Sequence, residues 1–436
     1  MLQTGFARVD ITPPLGITVS GYFATRYADG VRDPLYATAV AFDDGEKRTV
    51  VMSLDLIGFN QSLMDEYRPE IARTIGTDAE GVFIACTHTH LGPCTANARG
   101  VRENPEYIQW LGKRLCDAAT LAVKDMAPTK MLYTRGEAKD VAFIRRFRMK
   151  DGSVRTNPGW QNPDIDHALG TPDENSSLLI LKRENKPEIG IVNFQVHPDV
   201  IGGCSLSADF PKFVRDTYEK MIDNSLCMYL NGAQGDTNHI DVRRSGGPEA
   251  HGYLRAKYMG KKIALSVIAN YELAEELSGE KVAYAQKNIT VKYNKGRPDQ
   301  VEESIRISDI YKREGIEAAV PGESGMRRTE IVAEATRIVE LMSLPDEKVL
   351  YITAVSVGDV AFAGFPGEPF TEIGRQVKAN SKFTLTMTAC AANGYEGYYP
   401  VQSAFDEGGY EALTARYAAG TAEAIIAAAT EIINKL

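Results

Sequence analysis

Apolar, β-rich runs alternate with helical patterns along most of this 436-residue chain, and that alternation restricts it to a layered α/β architecture. Residues 48–56 read as a buried strand followed by a helix over 60–75, and 82–87 as a strand followed by a helix over 104–125. Strands are expected at 177–183 and 189–196, a helix from 210, a strand at 226–230 and a long helix over 248–275. Strands at 281–292, 347–356 and 359–364 come next, then a helix from 370, a strand at 382–389 and an Ala-rich helix over 409–434. The short gap between 347–356 and 359–364 reads as a hairpin, so the sheet is expected to be mixed. Residues 293–323 are charged and poor in apolar side chains, which reads as a surface excursion with a short helix. The elements on either side look like parts of one core, so residues 1–436 are expected to form a single catalytic domain.

Composition narrows the function classes. Hydrophobic residues make up 44 % and charged residues 25 %, ordinary values for a globular enzyme. No run approaches the roughly 18 apolar residues that a transmembrane helix needs. The net charge of −9 argues against a broad basic face, and so against nucleic acid as the partner. The six cysteines are scattered without a C-x-x-C pair, which disfavours a disulfide framework or a zinc ribbon. Residues 1–8 lack the basic and apolar regions of a secretory signal, so a cytoplasmic location is expected, or a secreted one if a signal was trimmed.

The chain has six histidines, and two flank one threonine in Thr87-His88-Thr89-His90-Leu91-Gly92-Pro93. The apolar run Val82-Phe83-Ile84-Ala85 ends just before them, where ligands gather in open α/β sheets. At a period of two, His88 and His90 would share a face, and neutral imidazole suits zinc. Two hydrogen-bonded structural histidines are the competing reading. A second apolar run, Ile191-Val192-Asn193-Phe194-Gln195-Val196, delivers His197-Pro198 in the same way, although a lone His197 is more often a core residue. In Gly364-Phe365-Pro366-Gly367-Glu368, the carboxylate could bind metal or serve the first turn of a helix. The loop Asn393-Gly394-Tyr395-Glu396-Gly397-Tyr398 carries tyrosines that could pack, or offer a phenol oxygen to a metal or substrate. Gly232-Ala233-Gln234-Gly235-Asp236 is either a tight strand–helix turn or a place of close backbone approach to a ligand.

Taken in order, these segments resemble the catalytic domain of the neutral/alkaline, non-lysosomal ceramidases. The resemblance begins at Gly5-Phe6-Ala7-Arg8-Val9-Asp10-Ile11-Thr12-Pro13 and Ser20-Gly21-Tyr22. It continues through the histidine pair, Val196-His197-Pro198, Gly235-Asp236, Pro366-Gly367-Glu368 and the Tyr395–Tyr398 loop. It implies one zinc ion held by His88, His197, Glu368 and Tyr398, with His90 facing the substrate. Arg145, in Phe143-Ile144-Arg145-Arg146-Phe147, stands where the family places an arginine beside the site; its competing reading is a surface charge. His90, Arg145 and Tyr398 would be the catalytic groups. The family's Gly-Asp-Val-Ser-Pro-Asn loop is Gly235-Asp236-Thr237-Asn238-His239-Ile240 here, without the serine, and the family's C-terminal β-domain has no counterpart. Both departures set ceramide itself apart from the metal chemistry.

The expected activity is therefore zinc-dependent hydrolysis of an amide (N-acyl) bond in a small-molecule or lipid-like substrate. The alternatives are a metal-dependent hydrolase of an ester or glycan-linked group, and a non-catalytic metal-binding protein.

Overall fold

The computed structural model describes residues 1–96, 101–247 and 249–436. Two mixed β-sheets stack on each other, and helices cover both outer faces. The larger sheet has nine strands. Its order is Ser225–Asn231, Glu188–Phe194, Asn175–Arg183, Ala127–Glu137, Gln3–Asp10, Tyr36–Asp43, Arg48–Leu54 and Val82–Cys86, with Glu275–Glu276 paired onto Ala127–Glu137. The smaller sheet runs Val282–Lys292, Glu347–Val357, Val360–Gly364 and Leu385–Ala389.

Alternation along the strands builds the layers. In Tyr36–Asp43, Ala37, Ala39 and Ala41 face the helices Gln61–Ile75 and Pro105–Lys124, where Tyr67, Ile71, Leu111 and Leu115 are buried. Val40 and Phe42 point the other way, and Phe42 meets Phe362 of the smaller sheet with ring centroids 6.1 Å apart. The far face of the smaller sheet lies under the helices Thr371–Ala379 and Thr421–Lys435, through Ile373, Val377, Ile425 and Ile433. Strands buried on both faces read as continuous apolar runs, which is why so many were visible in the sequence.

Within these two sheets three pairs of strands are parallel: Arg48–Leu54 with Val82–Cys86, Glu188–Phe194 with Ser225–Asn231, and Val360–Gly364 with Leu385–Ala389. Parallel neighbours need a crossover. Here the crossovers are the helices Gln61–Ile75, Phe210–Met221 and Thr371–Ala379. Every candidate metal-binding segment leaves one of these parallel strands at its C-terminal end.

Asparagine side chains tie the edges together. Asn231 donates to the Thr87 carbonyl (3.1 Å), so the two ends of the larger sheet meet. Asn193 donates to the carbonyls of Leu230 and Thr388, joining the two sheets. Asn393 accepts from the amide of Ile84 (2.9 Å) and its own amide donates to the Ile84 carbonyl (2.8 Å), which closes the open edge of Val82–Cys86.

Three elements differ from the sequence expectation. The helix expected over 248–275 is Gly252–Ile268; residue 248 lies outside the described residues, and Asn270 turns the chain by donating to the Arg135 carbonyl. The Ala-rich helix expected over 409–434 is Tyr410–Thr414 and Thr421–Lys435, interrupted where Gly420 takes φ 92°. The charged stretch from 293 contains the helix Val301–Glu314, which packs against Gly325–Met342 around Ile307, Tyr311, Val332 and Ala335. Its charges are the solvent face of amphipathic helices rather than an irregular excursion. Among the described residues, no helix is long and apolar enough to cross a membrane.

Candidate active site

Beyond Cys86 the chain stays tied to its neighbour: Thr87 donates to the Leu54 carbonyl and His88 to that of Leu56. His88 then takes φ 73°, so the strand period expected to align His88 with His90 is broken at its first member. The two rings still meet, with centroids 5.2 Å apart, and His197 joins them at 4.8 Å from His88 and 5.2 Å from His90. One ring nitrogen from each of the three histidines lies within 4.8 Å of the other two. A positive φ at a non-glycine residue is costly and persists only where the surroundings enforce it. Asp209, Ala391 and Asn393 share this conformation, and Asp209 holds the loop after His197 by accepting from the amides of Val200 and Ile201.

Glu368 completes the cluster. Its Oε2 is 3.3 Å from His88 Nε2 and 3.5 Å from His197 Nε2, and it accepts from Gln234 at 3.3 Å. Its Oε1 accepts from the Tyr395 hydroxyl at 2.6 Å. Glu368 is not a helix-capping acid: it pairs with Tyr398 as a two-residue strand, and the helix begins later, at Thr371. Burial works to raise its pKa, but His88, His197 and the bond from Tyr395 together hold it well below the usual carboxylate range. Burial, reinforced by Arg145, holds His197 well below the ordinary imidazole value. His88 Nδ1 lies 2.7 Å from the Ile57 carbonyl, which makes Nδ1 the donor and leaves the Nε2 lone pair directed at the cluster.

Arg145 is buried, which rules out the surface-charge reading. Its Nε lies 2.7 Å from Glu411, its Nη2 donates to the Gly235 carbonyl at 2.7 Å, and the guanidinium sits 5.3 Å from the centre of the Tyr398 ring. Burial opposes the charge, yet Tyr398, Glu411 and Glu368 outweigh it and push the guanidinium above its ordinary value. Burial and Glu368 push the Tyr398 phenol up. Gly235 backs this group: a Cβ there would lie 2.5 Å from the Glu368 carbonyl oxygen, so only glycine fits. Asp236 accepts from both the amide and the hydroxyl of Thr371, anchoring the helix that follows Glu368.

Among the three histidines His90 is the most exposed, at 8 % against 1 % for His88 and 2 % for His197. Its Nδ1 lies 3.7 Å from Asp199 Oδ1, and Asp199 in turn accepts from the Tyr22 hydroxyl. Burial pushes Asp199 up to about 6, against the pull of Tyr22, Arg26 and Arg145. Gly21 lies against the His90 ring, where a Cβ would come within 2.8 Å. A cavity of about 320 Å³ is lined by Gly21, Tyr22, Tyr395 and Tyr398, the first three of which touch the cluster or its partners, and by Ala333, Thr336 and Arg337 of the helix Gly325–Met342.

The structure thus gathers His88, His90, His197 and Glu368, with Arg145 and Tyr398 packed together beside them. It also brings in Tyr395, Asp199, Tyr22, Gln234 and Glu411, to which the sequence reading gave no individual role. Tyr22 and Asp199 stood inside or next to recognisable motifs, Ser20-Gly21-Tyr22 and His197-Pro198-Asp199, but their contact spans 177 residues.

The fold is that of solved ceramidases. The crystal structure of neutral ceramidase from Pseudomonas aeruginosa matches with a TM-score of 0.78 at 18 % identity, over 99 % of this chain and 74 % of that one. A ceramidase complexed with C2 matches with a TM-score of 0.71 at 16 % identity, over 99 % of this chain and 75 % of that one. No family model and no curated protein matches the sequence.

Proposed function

We propose that this chain is a metal-dependent hydrolase that cleaves an amide (N-acyl) bond, with zinc as its ion and residues 1–436 acting as one catalytic domain. The observation that carries the reading is the convergence of His88 Nε2 and His197 Nε2 on one oxygen of Glu368 in a buried cluster. Two imidazoles and a carboxylate suit zinc, and the supports behind them are those of a metal site: a backbone carbonyl on His88, and Tyr395 and Gln234 on Glu368. His88, His197, Glu368 and Tyr398 would hold the ion. When bound, it would polarise a substrate carbonyl and make a water molecule more acidic.

The remaining roles belong to side chains. His90, beside Asp199 and the most open of the three histidines, is the group placed to move a proton between water and the leaving amine. Arg145 offers a fixed positive charge next to Tyr398, already oriented by Glu411 and Gly235. Donors held in place before the reaction stabilise a developing oxyanion without reorganising.

The ceramidase fold supports amide chemistry over its rivals. The test is bound metal together with turnover on a panel of N-acyl and O-acyl substrates, for the wild type, His88→Ala and His197→Ala. Loss of both metal and N-acyl turnover in the variants is expected. Unchanged zinc content and activity would overturn the metal assignment; preference for O-acyl substrates would replace the amide with an ester; and a metal-loaded protein inert on the whole panel would leave a binding protein.

A further inference from the structure

A second cavity, open and of about 960 Å³, is lined by residues that take no part in the histidine cluster: Trp160, His239, Leu254, Arg255 and Tyr258 among them. Its size lies within the range of roughly 300–1,000 Å³ common for small-molecule sites. We propose that it binds a small organic monoanion with a flat apolar body, an aromatic carboxylate being the simplest example.

His239 is 5 % exposed, and neither of its ring nitrogens has a hydrogen-bond partner in the structure. A neutral imidazole has one donor and one acceptor, and leaving both unmade when buried is costly. The cavity is where a partner for them can come from.

Arg255 supplies the charge. Its two hydrogen bonds, to the carbonyls of Asp140 (3.4 Å) and His239 (3.5 Å), are long, and its Nε has none. Among the described residues no carboxylate forms an ion pair with it. The neighbouring Arg243 and Arg244 differ, since both are matched by Asp241 at 2.7 and 3.2 Å. A partly buried guanidinium without a counter-ion recognises a carboxylate with paired hydrogen bonds.

The apolar walls select the rest of the molecule. Trp160 is held by Gly246, where a Cβ would come within 2.5 Å of the indole, and by the His251 ring at 5.6 Å. Leu254 is 77 % exposed, and Tyr258 lies under Arg255 at 5.2 Å. Two carboxylates also line the cavity: Asp241 is neutralised by Arg243 and Arg244, and Glu249 opposes a second negative charge on the ligand. The site does not rest on the hydrolase reading, although the loop carrying His239 also carries Gly235 and Asp236, which brace Glu368 and Thr371.

The chain has two tryptophans, so Trp110→Phe leaves Trp160 as the sole indole reporter. The full-length Trp110→Phe protein is titrated with benzoate, and in parallel with neutral benzamide, following indole fluorescence. Saturable quenching by benzoate and none by benzamide is expected. Arg255→Gln should weaken benzoate at least about tenfold, and Arg255→Lys less, as a point charge replaces a fork. His239→Phe, which keeps the ring buried but removes both nitrogens, should also weaken it, with melting curves showing that each variant is folded. Equal responses to acid and amide, a response that never saturates, or full affinity in folded Arg255→Gln protein would each overturn the proposal.

Discussion

Tyr395 donates its hydroxyl to Glu368 Oε1 at 2.6 Å, on the opposite side of the carboxylate from the oxygen that faces His88 and His197. The phenol fixes the rotation of the carboxylate and leaves the other oxygen facing the two imidazoles, where the proposed metal would bind. Its ring is seated against Gly58, where a Cβ would come within 2.6 Å. Tyr395→Phe should keep the fold and weaken metal binding by about 10- to 100-fold, the usual effect of removing a group that orients a ligand. Competition with a chelator of known affinity measures it; unchanged affinity would show that Glu368 is fixed by other contacts.

His90 and the two histidines proposed as ligands should separate in a single experiment. If His90 transfers protons while His88 and His197 hold the ion, His90→Gln keeps its metal and loses about 100- to 10,000-fold in kcat. Gly21→Ala should act in the same direction while leaving the imidazole in the chain. Its new methyl would meet the His90 ring at 2.8 Å, and its φ of 107° disfavours alanine. A fall in kcat with intact metal content in both proteins is expected. Loss of metal in His90→Gln would instead place His90 among the ligands, consistent with a ring nitrogen of His90 lying within 4.8 Å of one on each of the other two histidines.

The parts visible in the sequence were those in which one local pattern determines the outcome. Val82–Cys86 and Glu188–Phe194 are buried on both faces, so their apolar runs announce both the strand and the exit where His88 and His197 stand. The helices Val301–Glu314 and Gly325–Met342 were obscured because their apolar residues, such as Ile307 and Tyr311, occupy one narrow stripe among charges. Tyr395 and Tyr398 could not be told apart by spacing. The loop reverses at Asn393 (φ 52°), Gly394 (φ 157°) and Gly397 (φ 85°), and those turns decide which phenol bonds Glu368 and which stacks with Arg145. The Arg145–Glu411 pair joins distant segments, and only the folded chain brings them together.

Asn393 should be important for stability out of proportion to its size. Its side chain accepts from the Ile84 amide at 2.9 Å and donates to Thr353 at 3.2 Å, linking the edge of the larger sheet to the smaller one. Asn393→Ala leaves a buried amide without a partner, at about 1–3 kcal/mol. It also removes a residue type that tolerates positive φ. Urea unfolding should show a lower midpoint with an unchanged slope. A loss within about 0.5 kcal/mol, the usual range for surface substitutions, would mean that water replaces the lost bond.

His239 should make the protein sensitive to acid. Burial, with His251 and Arg255 adding to it, lowers its pKa to about 3. In the unfolded chain it would titrate near 6.5. The folded state therefore binds fewer protons between these values, so the stability contributed by the neutral ring is complete above about pH 6.5 and is lost as pH falls toward 3. One proton gives a slope of at most about 1.4 kcal/mol per pH unit. Other groups titrate in the same window, so the informative quantity is the difference between the wild type and His239→Gln, which keeps a neutral polar side chain. That difference should shift in favour of His239→Gln as the pH is lowered from 6.5 toward 4, read from urea midpoints at each pH. Parallel curves for the two proteins would show that His239 takes up its proton without cost in the folded state.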